Sequence, residues 1–260
     1  MRPDLVAFDL DDTLAPSKSR LPDRMAGLLR RLLDRAHVCV ISGGHFGQFD
    51  RQVLAALRDA GATDTEFSRL HLMPTCGTRY LTFVDGTWSE VYAHDLSPEE
   101  KAQAITAVTE AAKELGLWAE HPYGEIVEDR GSQITFSALG QQAPVAEKNL
   151  WDPDGEKKNS LRRATAERLP DLEVRAGGTT SIDITRHGID KAYGIRELSR
   201  VTGITFDHML FLGDKMNPDG NDYPVKAMGV PSHAVTGWED TAGYLETLIP
   251  TLTGEPLRLS

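Results

Sequence analysis

The chain has 260 residues, 40% of them hydrophobic and 26% charged, a composition that suits one large globular domain or two modest ones. A net charge of −11 argues against nucleic acid or an anionic membrane as the main partner, and no apolar run is long enough to span a bilayer. The 2 cysteines lack CxxC spacing, the 8 histidines lack i,i+4 pairing and the N-terminus reads without a signal peptide, so a reduced, cytoplasmic protein is expected.

In chain order, Leu5-Val6-Ala7-Phe8 reads as a short buried strand that ends in Asp9-Leu10-Asp11-Asp12-Thr13. Met25, Leu28, Leu29, Leu32 and Leu33 recur at helical spacing and predict an amphipathic helix over about residues 22–35. Residues 38–41 form a second buried strand, closed by Ser42-Gly43-Gly44. Phe46, Phe49, Val53, Leu54 and Leu57 predict another helix, and residues 70–73 a third strand. This β-α-β-α-β order implies a parallel sheet with right-handed crossovers.

The pattern then changes. Residues 80–84 and 87–92 flank Asp85-Gly86 and read as a hairpin. Ser97, with Glu100 three residues on, predicts a capped helix whose apolar face carries Ile105, Val108, Ala112 and Leu115. Strands are expected near 125–127, 133–139, 172–175 and 180–185, with a helix near 159–169. From Asp190 the alternation resumes, with a helix to about Val201 and a buried strand over 209–212 closed by Gly213-Asp214. The expected fold class is α/β: a Rossmann-like parallel-sheet core over about residues 1–84 and 187–260, with an α+β cap inserted over about 85–186.

Four features share one expected address, the C-terminal end of a buried strand or the start of a nearby helix. They are Asp9 with Asp11, Ser42, Lys191, and Asp214 with Asn221-Asp222. In open α/β sheets ligands bind at that edge. Of two carboxylates on one strand end, one can attack and the other can move a proton; a hydroxyl and a lysine can hold developing negative charge. Each feature alone has a plainer reading. Asp11-Asp12-Thr13 can cap a turn, Ser42-Gly43-Gly44 can be a strand-to-helix turn, Lys191 a solvated lysine and Gly213-Asp214 a tight turn. Together, in this order around a cap-sized insert, they point to phosphoryl transfer.

In these motifs the chain resembles the haloacid dehalogenase superfamily over essentially its full length. The insert, lying after Ser42 and before Lys191, is similar to the cap of subfamily IIB. The loop Gly213-Asp214-Lys215-Met216-Asn217-Pro218-Asp219-Gly220-Asn221-Asp222 most resembles that of eukaryotic-type phosphomannomutases, as do Gly177-Gly178, Ser181-x-Asp183 and Gly188-x-Asp190-Lys191. The resemblance implies Asp9 as a nucleophile that forms an aspartyl-phosphate and Asp11 as the acid and base. It implies Ser42 and Lys191, with Gly43 beside them, as the grip on the transferring phosphate. It further implies Mg²⁺ held by the side chains of Asp9 and Asp214 and the backbone carbonyl of Asp11, with Asp222 in or near the next layer. Arg130, Lys148, Ser181 and Asp183 are the implied cap contacts to a sugar or its distal phosphate.

Some positions depart from the mutase pattern. Gln141 and Lys148 stand where the mutases carry arginines, His45 follows the paired glycines in place of Ser, and Cys76-Gly77 replaces Asn-Gly. The leading expectation is therefore a Mg²⁺-dependent phosphatase of a small phosphorylated metabolite, a hexose phosphate first. The alternative is a phosphomannomutase interconverting mannose 1-phosphate and mannose 6-phosphate, and a non-catalytic phospho-acceptor or sugar-phosphate sensor comes third. The expected partner is a small phosphate ester, and an oligomer is compatible with the sequence.

Overall fold

The computed structural model describes residues 2–254, 256, 257 and 259. Two compact units are present: Met1–Ala93 with Ile189–Ser260, and His94–Gly188. The strands, in chain order, are β1 (Leu5–Phe8), β2 (His37–Ile41), β3 (Leu70–Met73), β4 (Arg79–Val84), β5 (Thr87–Ala93), β6 (Val127–Asp129), β7 (Ile134–Ser137), β8 (Leu172–Ala176), β9 (Ser181–Arg186), β10 (Met209–Gly213) and β11 (Ser232–Ala234).

The larger unit is built on a seven-stranded sheet in the order β11-β10-β1-β2-β3-β4-β5. The first five strands are parallel neighbours, and β4 and β5 extend the sheet antiparallel. Alternate residues face opposite sides, as the two-residue period of a strand requires. Val6, Phe8, Val38, Val40, Leu70 and Leu72 pack with helices Asp23–Leu33 and Trp238–Leu248. Leu5, Ala7, Cys39, Ile41 and Met73 pack on the other face with Ile195 and Leu198 of helix Lys191–Thr202. Burial on both faces explains why β1 and β2 read as unbroken apolar runs. The fold is thus a Rossmann-like α/β core carrying an inserted α+β unit.

Asp85 and Gly86, both at positive φ (50° and 80°), join β4 to β5, the backbone that a tight two-residue hairpin turn favours. A sequence boundary at 84/85 falls inside this hairpin. β4 pairs with β3 at Leu72–Leu81, so both arms belong to the large sheet, and the units part at Ala93/His94 and Gly188/Ile189. The helix anticipated after β2 is interrupted. Phe46–Phe49 and Ala55–Asp59 are α-helical, and the Asp50–Leu54 stretch between them is π-helical.

In the inserted unit, β6-β7-β9-β8 form an antiparallel sheet that packs on helices Pro98–Glu114 and Glu156–Arg168. Ser97 and Glu100 make the anticipated reciprocal capping box. The buried face of the first helix is Ala104, Ala107, Val108, Ala111 and Ala112; Ile105 and Leu115, expected on it, are exposed. Ile134, Phe136, Ile182 and Ile184 point into this core, which leaves Thr135, Ser137, Ser181 and Asp183 on the opposite, polar face.

Candidate active site

β10, β1 and β2 lie side by side and end together, so the residues that follow them emerge at one sheet edge. Asp9 follows β1, Ser42 follows β2 and Asp214 follows β10. Lys191 enters as the first residue of helix Lys191–Thr202, whose N-cap Asp190 accepts from Tyr193 N at 2.8 Å. The Lys191 ammonium lies 2.5 Å from Asp9 Oδ1 and 2.5 Å from Asp222 Oδ1. Asp222 Oδ2 accepts from Lys215 N at 2.9 Å, which ties the late acidic loop to the same cluster.

Burial sets the electrostatics. It pushes the Asp9 carboxyl up to about 7; the Lys191 ammonium opposes that rise and the Asp222 charge adds to it. Burial acts against a charged Lys191, but Asp9 and Asp222 outweigh it and hold the ammonium above its ordinary range. The lysine is therefore a fixed cation between two acids.

Two glycines seat the helix that carries Lys191. A Cβ on Gly194 would lie 2.6 Å from Cys76 O and would collide with Ile41 Cδ1, and one on Gly77 would collide with Gly194 Cα. Only glycines permit this approach of the helix to the turn after β3. That turn is strained, because Thr75 and Cys76 both adopt positive φ (49° and 55°). It also supports the β2 end: Cys76 N donates to Ser42 O at 2.9 Å and Thr75 N to Gly44 O at 3.0 Å. Ser42 Oγ accepts from Gly44 N at 3.3 Å, and Gly43 lies between them. His45 caps the next helix by accepting from Gly47 N at 3.1 Å, a task well suited to the Ser that the mutase pattern carries there.

Asp11 is bonded on both oxygens. Lys18 N donates to Oδ1 at 2.6 Å, Gln48 Nε2 to Oδ2 at 3.0 Å and Gln52 Nε2 to Oδ1 at 3.3 Å. Sequence reasoning missed both glutamines. Their i,i+4 spacing was visible, but nothing local tied that helix face to Asp11.

Carboxylate oxygens of Asp9, Asp214 and Asp222 lie within 4.8 Å of one another. Asp214 Oδ1 is buried without a hydrogen-bond partner, while Oδ2 meets Lys215 Nζ at 3.1 Å. An orphaned buried carboxylate oxygen in an all-oxygen cluster fits a hard divalent cation.

In the inserted unit, β7 and β9 pair Thr135 with Asp183 and Ser137 with Ser181. Thr135 Oγ1 donates to Asp183 Oδ1 at 2.8 Å, and the hydroxyls of Ser137 and Ser181 lie 3.0 Å apart. Burial raises the Asp183 pKa against the pull of Arg130. Arg130 also meets Glu128 Oε2 at 2.7 Å, so it is not a bare phosphate grip. Ser181, Asp183 and Arg130 thus share one polar sheet face. Lys148 is set apart from them in the sequence of elements, half-buried on helix Val145–Trp151.

A family model described as eukaryotic phosphomannomutase matches residues 96–251. A probable phosphomannomutase of Caenorhabditis elegans is 24% identical over 257 residues, which span 95% of this chain and 96% of that protein. Phosphomannomutase 1 of Homo sapiens is 24% identical over 244 residues, 91% of this chain and 88% of its own. Among solved structures, an N-terminally truncated IMP-nucleotidase of Plasmodium falciparum superposes with a TM-score of 0.71 at 15% identity, over 97% of this chain and 71% of that one. A haloacid dehalogenase-like hydrolase from Bacteroides thetaiotaomicron gives 0.64 at 16%, over 95% and 100%. At such identities the structural likeness speaks to the fold. No helix among the described residues is long and apolar enough to cross a membrane.

Proposed function

The chain belongs to the eukaryotic phosphomannomutase family, and from that premise we propose that it moves the phosphoryl group of a hexose phosphate by way of Asp9. It is an enzyme of phosphotransferase or phosphatase type; the family match and the relatives favour the mutase, the alternative at the sequence level, over the phosphatase that led there. The observation that carries the chemistry is the buried Asp9–Lys191–Asp222 cluster beside the orphaned Asp214 oxygen.

In this reading Asp9 attacks phosphorus with the oxygen that Lys191 does not hold, and the alkoxide leaves with a proton from Asp11. Lys191 stays charged throughout and, with Ser42 and the Gly43 backbone, stabilises the charge that builds on the transferring oxygens. Asp9 and Asp214 would hold Mg²⁺ by side chain and Asp11 by its carbonyl, with Asp222 fixing Lys191 from behind. When bound, the ion supplies the positive charge that lets an anionic carboxylate meet an anionic phosphate. Ser181, Asp183 and Arg130, with Lys148, are proposed to bind the sugar and its far phosphate. The inserted unit, about residues 85–186 by sequence and His94–Gly188 by compactness, is proposed as the substrate-selecting cap. The mutase outcome requires a reoriented sugar phosphate, rather than water, to discharge Asp9.

One specific observation favours hydrolysis as the second reading: Gln141 places no charge where the mutase pattern has an arginine. Phosphorus NMR of mannose 1-phosphate with Mg²⁺ and a hexose bisphosphate separates the two. The mutase reading expects mannose 6-phosphate to accumulate with little inorganic phosphate. Inorganic phosphate as the main product would replace it with the phosphatase.

A further inference from the structure

We infer that Gln48 and Gln52 are positioning residues for Asp11, and that they set the efficiency with which it moves the leaving-group proton. The inference rests on the proposed acid and base role of Asp11. Three donors converge on this one carboxylate: the Lys18 N–H and the two glutamine amides, which between them reach both oxygens. The glutamines come from one helical segment, Gln48 just before the π-helical stretch Asp50–Leu54 and Gln52 within it. Widened turns of this kind recur at functional sites.

The amide orientations follow from the neighbours. Gln52 Nε2 lies 2.6 Å from Ser19 O and 3.3 Å from Asp11 Oδ1, and a backbone carbonyl can only accept, so the NH₂ group must point this way. The consequence is an orphan: Gln52 is 3% exposed, and its Oε1 is buried without a partner. A buried acceptor left unpaired is unfavourable, and an apolar side chain of similar size would avoid it. The amide is kept where it serves Asp11 and the 17–21 segment. Gln48 has no second task among the described residues, since its side chain bonds Asp11 alone. A Cβ on Gly44 would collide with the Gln48 amide as it is placed, so the missing side chain of Gly44 leaves room for this bond. Gly44 thus joins the Ser42-Gly43-Gly44 turn to the placement of Asp11.

Fixing both oxygens limits the carboxylate to a narrow set of orientations. The benefit falls on the step in which a proton must reach a poorly stabilised alkoxide; a leaving group that departs as a stable anion needs no such help.

The test compares Gln48→Met, which keeps length and volume but loses the donor, with Gln48→Glu, which keeps the shape and replaces the donor by an acceptor. Asp11→Asn serves as the reference. Each is assayed on a hexose 1-phosphate and on p-nitrophenyl phosphate, with thermal unfolding as a fold control. Gln48→Met should lower kcat on the sugar phosphate about tenfold and on the aryl ester less than about threefold, a fraction of the roughly 10²–10⁴ that a positioned proton transfer contributes. Gln48→Glu should lower the sugar-phosphate rate further, with KM for both substrates little changed. If Asp11→Asn discriminates between the substrates but Gln48→Met affects both equally or neither, the positioning role is overturned. If Asp11→Asn itself fails to discriminate, the acid and base role of Asp11 falls, and this inference with it.

Discussion

Lys191 and Asp222 meet at 2.5 Å with 1% and 0% of their side chains exposed, so the cation that holds Asp9 is itself held by a second acid out of reach of water. A buried charge that loses its partner is left uncompensated, which costs about 3–5 kcal/mol. Asp222→Ala should therefore destabilise the fold by about that amount in urea unfolding. Lys191→Met should lower turnover by about 10²–10³, the scale set by losing one charge stabiliser. Turnover within about threefold of wild type for Lys191→Met would remove that lysine from the machinery.

Cys76 sits at φ 55° between Thr75 and Gly77, which are also at positive φ. Asn tolerates this region better than Cys does. Cys76→Asn, the residue of the related mutases, should raise stability by about 0.5–1 kcal/mol, seen as a higher urea midpoint with an unchanged slope. A lower midpoint would show that the Cys side chain does more than tolerate the turn.

A chain of buried polar groups crosses the large sheet. His37 Nδ1 lies 3.0 Å from His71 Nε2, His71 Nδ1 lies 2.7 Å from Tyr80 Oη, and His37 Nε2 lies 2.7 Å from Leu257 O. Burial, with the His37 ring adding to it, lowers the His71 pKa from 6.5 to about 3, and burial lowers that of His37 as well. Burial keeps His71 neutral when folded, so between about pH 6.5 and about pH 3 the unfolded chain binds more protons, and the lowered His37 acts in the same sense. The histidine contribution is complete above about pH 6.5 and is lost as the pH falls, by up to about 1.4 kcal/mol per pH unit for His71. Asp9, raised to about 7, acts in the opposite sense over this range, so the histidine contribution is read as a difference: in urea unfolding between about pH 7 and about pH 5, the wild type should lose about 1–2 kcal/mol relative to His71→Gln. Equal losses would mean that His71 does not drive the acid sensitivity.

The sequence reveals what is local to a strand end. Asp9, Ser42 and Asp214 each follow an apolar run, and the parallel order of those runs suffices to bring them to one edge. Lys191 was legible through its motif, but the reason it reaches Asp9 was not. The close approach of Gly194 to the 75–77 turn joins residues more than a hundred positions apart, and a glycine inside a helix carries no address. Gln48 and Gln52 were hidden for the same reason. The β4–β5 hairpin is legible as a hairpin, but its membership of the large sheet depends on the Leu72–Leu81 pairing, which leaves no local trace. Helix Val145–Trp151, with no buried residue, has no apolar face to betray it.

The central claim is that the phosphoryl group passes through Asp9. Rapid quenching of enzyme with a hexose bisphosphate and Mg²⁺, followed by borohydride reduction and peptide mapping, reads this directly, because reduction converts an aspartyl-phosphate to homoserine. The account predicts homoserine at position 9 in the wild type, and none there in Asp9→Asn or in wild type without substrate. Trapping at Asp11 or at another acid, or turnover without any trapped acyl-phosphate, would contradict it.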